Sequence, residues 1–216
     1  MTARQTSRTS DTARIALDTL APGFADPVRD TQAVFRALLD ALARPGRIGV
    51  IETSLPAADA APGVQRAGLA AFASLLALCD YATPVWLAQP DAALAVALRF
   101  YAGAPLTDVP AEAAFAYVHD AAALPPLDTL ASGTPESPEQ SATVFVCVES
   151  LTGGASVTLR GPGIEDAHII APVGLPERFW HERAALAAVF PCGIDFYLVC
   201  GDQLVGLPRT THVEMN

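Results

Sequence analysis

Apolar residues recur at helical spacing in the first half of this chain and in short extended runs in the second. Val34, Phe35, Leu38, Leu39 and Leu42 fall on one face of a helix that Asp30 or Thr31 can cap and that Arg44-Pro45-Gly46-Arg47 stops. Ile48 to Ile51 follows as a short strand and Pro56 to Gly63 as an Ala/Pro loop. Leu69, Phe72, Leu75, Leu76 and Cys79 mark a second helix, and Thr83 to Leu87 a compact strand. Asp91 caps a third helix ending near Gly103, with Arg99 in the last turn, where the helix dipole favours a cation.

From Ala114 onward strands dominate: Ala114 to His119, Ala142 to Glu149, Val157 to Arg160, His168 to Ile170, Ile194 to Cys200 and Gln203 to Leu207. A helix over Pro176 to Val189 lies among them, and Leu124 to Leu130 reads as one more short helix. Thr152-Gly153-Gly154 and Gly201-Asp202 read as hairpin turns, and Gly133 to Gln140 as a long exposed loop. The pattern predicts an α/β protein with a mixed sheet covered by helices, a single domain over residues 27–216 with no internal repeat. Residues 1–26 are Arg-, Ser- and Thr-rich and read as a disordered tail rather than a transit peptide.

Charge and composition narrow the function classes. The formal charge of −10 repels nucleic acid and anionic lipid, so neither is an expected partner. No apolar run approaches the roughly 18 residues of a membrane span. The 51% apolar content suggests that partners cover part of the surface. Cys79, Cys147, Cys192 and Cys200 form no CxxC pair and sit in apolar surroundings, as free thiols of a reducing, cytoplasmic compartment do. Cys192, between Pro191 and Gly193, is expected to be the least hidden of them. All 13 basic side chains are arginine. Without lysine there is no Schiff base to pyridoxal phosphate, no Walker lysine and no kinase lysine, and no cofactor is expected.

Few segments carry chemistry. Arg160-Gly161-Pro162-Gly163 reads as a tight turn rather than a phosphate cradle, because Pro162 removes a backbone donor. His119, His168, His181 and His212 pair with no other histidine or cysteine at ligand spacing, so no metal site is expected. His119-Asp120 looks like an element end and His168 a hydrogen-bonded core residue. The densest segment is Pro208-Arg209-Thr210-Thr211-His212-Val213-Glu214. Arg209 could hold an anion bidentately, with Thr210, Thr211 and His212 adding donors and Arg160 a second cation. The same groups could fix an interface with another subunit, which is the preferred reading because termini are often ordered by docking.

These segments together resemble the H subunit of the bacterial carbon–phosphorus lyase core complex. The resemblance runs from Phe35-Arg36 to Glu214, through Pro45-Gly46, Thr83-Pro84-Val85-Trp86-Leu87, Leu98-Arg99-Phe100 and Ala104-Pro105. It continues in Gly133-Thr134, Pro138-Glu139, Ala142-Thr143, Ser150-Leu151, Gly153-Gly154, Gly161, Gly163-Ile164 and Ile170-Ala171-Pro172. It closes on Pro191, Gly193-Ile194-Asp195 and Pro208 to Glu214. The resemblance implies a three-layer α/β/α fold like that of pyridoxal-phosphate-dependent transferases, without the cofactor lysine. It implies an assembly with the G, I and J subunits. With G, I and L, the H subunit supports displacement of the adenine of ATP by a phosphonate, giving alpha-D-ribose 1-methylphosphonate 5-triphosphate. Radical C–P cleavage by the iron–sulfur J subunit comes later, and no local cysteine run here could hold such a cluster. The resemblance carries over no catalytic residue, so Arg160, Arg209, Thr210, Thr211 and His212 stand as candidates on chemistry alone. A homodimer is expected when the chain is expressed alone.

Overall fold

The structure is a computed structural model, and it describes residues 20–53 and 67–215. The expectations for residues 1–19 and for the Pro56–Gly63 loop lie outside the described residues. Leu20, Ala21 and Phe24 already pack against the core, ahead of the first helix.

Helix α1 (Pro27–Ala43) is capped by Asp26, not by Asp30 or Thr31. Asp26 accepts the Arg29 N–H, and Asp30 reaches back to accept the Asp26 N–H at 3.0 Å. Pro27 fits the first helical position, where no N–H is required. Val34, Leu38 and Ala41 face the core, whereas Phe35 and Leu39 lie one step round the helix, 49% and 50% exposed. The helical spacing was right, but the buried stripe is narrower than the apolar one.

Strand β1 (Ile48–Val50) precedes helix α2 (Leu69–Leu78), which is almost wholly buried, and strand β2 (Val85–Leu87) follows it. Asp91 caps α3 (Ala92–Ala97) through the Leu94 N–H. The helix continues as a π-helical turn, Leu98–Ala102, and stops at left-handed Gly103. Strands β3 (Leu106–Thr107), β4 (Phe115–Val118), β5 (Thr143–Cys147), β6 (Val157–Arg160) and β7 (His168–Ile170) come next. Helix α4 (Glu177–Ala185) runs on into a 3-10 turn, Leu186–Val189. Strands β8 (Asp195–Cys200), β9 (Gln203–Leu207) and β10 (His212–Met215) close the chain. Leu124 to Leu130 holds only a 3-10 turn, Leu127–Thr129.

Among the described residues the main sheet has seven strands, in the order β1-β9-β8-β5-β4-β2-β3. The five from β8 to β3 are parallel, while β9 is antiparallel to β8 and β1 antiparallel to β9. The fold is therefore mixed α/β, as the pattern predicted. Gly201-Asp202 is the hairpin turn joining β8 to β9. Thr152-Gly153-Gly154 joins no paired strands: β5 lies in the main sheet, and β6 in a separate antiparallel sheet ordered β10-β6-β7.

Alternation along the strands feeds two cores. Tyr197 and Val199 of β8 point to the side of α1, α2 and α3. Phe196 and Leu198 point to the other side, with α4 and the small sheet residues Val157, Leu159, Ile170 and Val213. One outer layer is thus helical, and the other shares a helix with a small sheet.

The Gly161–Asp166 turn packs on the end of α1. Gly163 has φ +83, and a Cβ there would lie 2.2 Å from the Ala43 carbonyl oxygen. Gly163→Ala combines a left-handed backbone with a main-chain clash and is expected to cost at least about 2 kcal/mol, read as a lowered denaturation midpoint. An unchanged midpoint would show that the turn moves freely away from α1.

Candidate functional site

The segment Pro208 to Glu214 is the corner by which the chain leaves the main sheet and enters the small one. β9 ends at Leu207, the Thr211 N–H closes a turn on the Pro208 carbonyl at 2.9 Å, and β10 then pairs with β6. The sequence pattern did not mark β10 as a strand, because only Val213 of its four residues is buried.

Arg209 sits at the centre of this corner. Its backbone N–H donates to Asp195 Oδ1 at 2.7 Å, and its guanidinium donates to Asp195 Oδ2 through Nη2 at 2.6 Å and Nε at 3.2 Å. Nη1 donates to the Pro138 carbonyl at 2.7 Å, and Nη2 also donates to Ser141 Oγ. The Arg209 and Asp195 side chains are each 18% exposed, so water screens the pair little. Three segments far apart in sequence meet here: the Pro138–Ser141 loop, the start of β8 at Asp195, and the corner itself. The Gly193 N–H adds a further tie, to the Ser132 carbonyl at 2.9 Å. The expected exposed loop at Gly133 to Gln140 is thereby anchored at one end.

Arg183 of α4 also belongs to this corner, and the sequence pattern did not single it out. It is 1% exposed, and its Nη2 donates to the Pro208 carbonyl at 2.6 Å. Its Nε has no partner among the described residues. Burial lowers its pKa to about 10, and nearby Asp195 partly offsets that, so it remains a cation at neutral pH. Phe179, Trp180 and Arg183 share one helix face, and that i, i+4 spacing from Phe179 was the available signal.

The remaining candidates lie around this framework. Thr211 is fully buried with no partner for Oγ1 among the described residues, Thr210 is half-buried, and His212 is exposed. Arg209, Thr210 and His212 line a cavity of about 220 Å³ together with Pro162, Ala187 and Phe190, the last 63% exposed. Arg160 is the cross-strand partner of His212 but is not part of that cavity. Its Nη1 donates to the Asp166 carbonyl at 3.0 Å, and its Nε lies 3.5 Å from Glu214. The structure thus brings Arg209, Thr210 and His212 together and leaves Arg160 outside.

His168 Nε2 lies 3.2 Å from the Gly46 carbonyl oxygen, so the expected hydrogen bond is present, but the side chain is half-buried rather than in the core. Cys192 is buried, in a turn that its N–H closes on the Val189 carbonyl at 3.0 Å, and Cys147 and Cys200 are the more open thiols. Among the described residues no three His, Cys, Asp or Glu side chains converge as a metal site would need. No helix among them is long and apolar enough to cross a membrane.

Residues 22–214 match the family model described as "Bacterial phosphonate metabolism protein (PhnH)". The chain is 45% identical over 193 residues to the "Alpha-D-ribose 1-methylphosphonate 5-triphosphate synthase subunit PhnH" of Rhizobium meliloti (strain 1021), covering 88% of this chain and 94% of that one. It is 31% identical over 185 residues to the "Putative C-P lyase subunit protein HtxG" of Stutzerimonas stutzeri, covering 85% and 86%. The matched region takes in both sheets and the whole corner around Arg209, and the chain belongs to the PhnH family of bacterial phosphonate metabolism proteins.

Proposed function

We propose that this chain is a supporting subunit of an assembly that makes alpha-D-ribose 1-methylphosphonate 5-triphosphate, and that it does not perform the transfer by itself. The observation that carries this reading is the 45% identity across 94% of a relative named as a subunit of that synthase. The geometry agrees with it. The cation most suited to gripping substrate, Arg209, is engaged inside the chain by Asp195, Pro138 and Ser141. Its network instead stiffens a corner that presents Phe190, Thr210 and His212 at the surface. In this proposal the partners are the G, I and J subunits. The chain acts with G, I and L in displacing the adenine of ATP by a phosphonate, in the cytoplasm. The fold is related to that of pyridoxal-phosphate-dependent transferases, a relation supported by a largely parallel sheet with a core on each face. Expressed alone, the chain forms a homodimer.

Co-expression with the G, I and J subunits, one of them tagged, tests this reading by size exclusion with light scattering. The chain is expected to travel in one stable complex with all three. Elution of the chain alone, while the other three assemble, would contradict it.

A second reading has one observation in its favour. Arg183 and Arg209 both lie near the Asp195 carboxylate, so two guanidinium groups share it beside the 220 Å³ cavity. In that reading the corner holds an anion, a phosphonate or triphosphate group, with Thr210 and His212 as donors and Arg160 at its margin. Calorimetric titration of the pure chain with methylphosphonate decides it: binding tighter than about 1 mM favours the anion site, and no heat favours the supporting role.

A further inference from the structure

A crevice at the carboxyl ends of β4 and β5 belongs to neither reading above. The strand order reverses beside it: β2 leads outward to β3, and the chain then returns across β2 to β4. In open α/β sheets ligands bind at that edge, outside the carboxyl ends of the strands. The crevice has a volume of about 390 Å³ and is lined chiefly by His119, Asp120, Cys147, Glu149 and Gly174.

Its walls are held in place before any ligand arrives. Gln89, just after β2, accepts the His119 N–H at 2.8 Å and the Asp120 N–H at 3.3 Å through Oε1. Its Nε2 is enclosed without an acceptor among the described residues, so the polar framework is incomplete as it stands. The Tyr117 hydroxyl lies 3.1 Å from His119 Nδ1. A phenol accepts as well as donates; where its oxygen accepts from the Nδ1–H tautomer, Nε2 presents a lone pair to the crevice. Glu149 lies beside bare backbone: a Cβ at Gly174 would come within 3.1 Å of its Cγ. Hydrogen bonds from the Glu149 N–H to the Val173 carbonyl and from the Val173 N–H to the Ser150 carbonyl fix that wall.

The charge in the crevice has one sign. Asp120 spends one carboxylate oxygen on the Ala122 N–H, and neither Asp120 nor Glu149 has an ion-pair partner among the described residues. Burial raises the Cys147 thiol, which stays neutral. Phosphate and phosphonate groups are repelled by such a lining, and the net charge of −10 adds to the effect.

We infer that this crevice binds a small organic cation, a guanidinium or primary ammonium group, whose N–H donors meet Asp120, Glu149 and Nε2 of His119. The cation is either a free small molecule or a basic side chain of a partner subunit. The free-molecule source does not depend on the function proposed above, whereas the partner-subunit source rests on it.

The full-length chain is titrated with methylguanidinium chloride at fixed ionic strength, followed by calorimetry and by ligand-observed NMR. Tetramethylammonium, equal in charge but without N–H donors, is the control. Saturable binding of methylguanidinium alone is expected, weakened at least tenfold in Asp120→Asn/Glu149→Gln. An equal loss of charge elsewhere, in Glu165→Gln/Asp166→Asn, should leave it unchanged. Gly174→Ala, which crowds Glu149 without altering charge, should weaken it too. If the free chain binds neither probe, the same variants are co-expressed with tagged G, I and J subunits. Lower recovery of Asp120→Asn/Glu149→Gln than of the charge-matched variant then assigns the cation to a partner's side chain. Equal affinity for tetramethylammonium, or no effect of the crevice variants on either binding or recovery, overturns the inference.

Discussion

Arg209→Ala is expected to lower stability by about 3 kcal/mol, because it strands the Asp195 carboxylate and leaves the Pro138 carbonyl and Ser141 without their donor. For a chain of this length that corresponds to a fall in Tm of roughly 6–12 °C. Asp195→Asn should cost less, since an amide oxygen still accepts from the Arg209 N–H while the charged pair is lost. The double variant Arg209→Ala/Asp195→Asn should lose less than the two single changes added together, because neither charge is then left uncompensated. Chemical denaturation of the four chains measures this. A loss below about 1 kcal/mol in Arg209→Ala would show that the guanidinium is held loosely and remains free to meet a ligand.

The second large effect concerns Arg183, where shape and charge oppose each other. Its folded pKa of about 10 lies below the ordinary 12.5, so the unfolded chain holds that proton more tightly than the folded one. The charge therefore costs stability at neutral pH, and the cost is relieved only as pH rises through about 10. Arg183→Ala removes the charge but opens a cavity and strands the Pro208 carbonyl, for an expected loss of about 2–4 kcal/mol. Arg183→Met fills much of the space and removes the buried charge as well, so its stability is expected to stay within about 1 kcal/mol of the natural chain. If the methionine variant is as damaged as the alanine one, the hydrogen bond to Pro208 outweighs the burial of charge.

Most strands were legible because their signals are local. The apolar runs at Ala142 to Glu149 and Ile194 to Cys200 lie at the centre of a parallel sheet buried on both faces, and they read as continuous apolar segments for that reason. The Asp91 cap and the Gly103 stop were legible for the same reason, each being set within one helical turn. Asp26 was missed because Asp30 offers the same chemistry four residues later, and only the placement of Pro27 separates them. The division into two sheets was not legible, since Thr152 to Gly154 is a turn in composition whichever strand follows it.

The candidate site was half legible. The run from Arg209 to His212 was visible as chemistry, but its meaning depends on partners 14 and 71 residues away, at Asp195 and Pro138. No periodicity in the sequence records such pairings. Arg183 shows the same limit: beside Glu182 it looks like a charged surface position, and only the helix packing over Pro208 buries it.

A chain that supports the synthase without performing its chemistry makes no product by itself. Formation of alpha-D-ribose 1-methylphosphonate 5-triphosphate from ATP and methylphosphonate is therefore assayed with the pure chain, with the G, I and L partners alone, and with all of them together. Product is expected only from the full set, and again when the purified chain is added back to the partners. Product from the pure chain, or an undiminished rate without it, would rule out the supporting role.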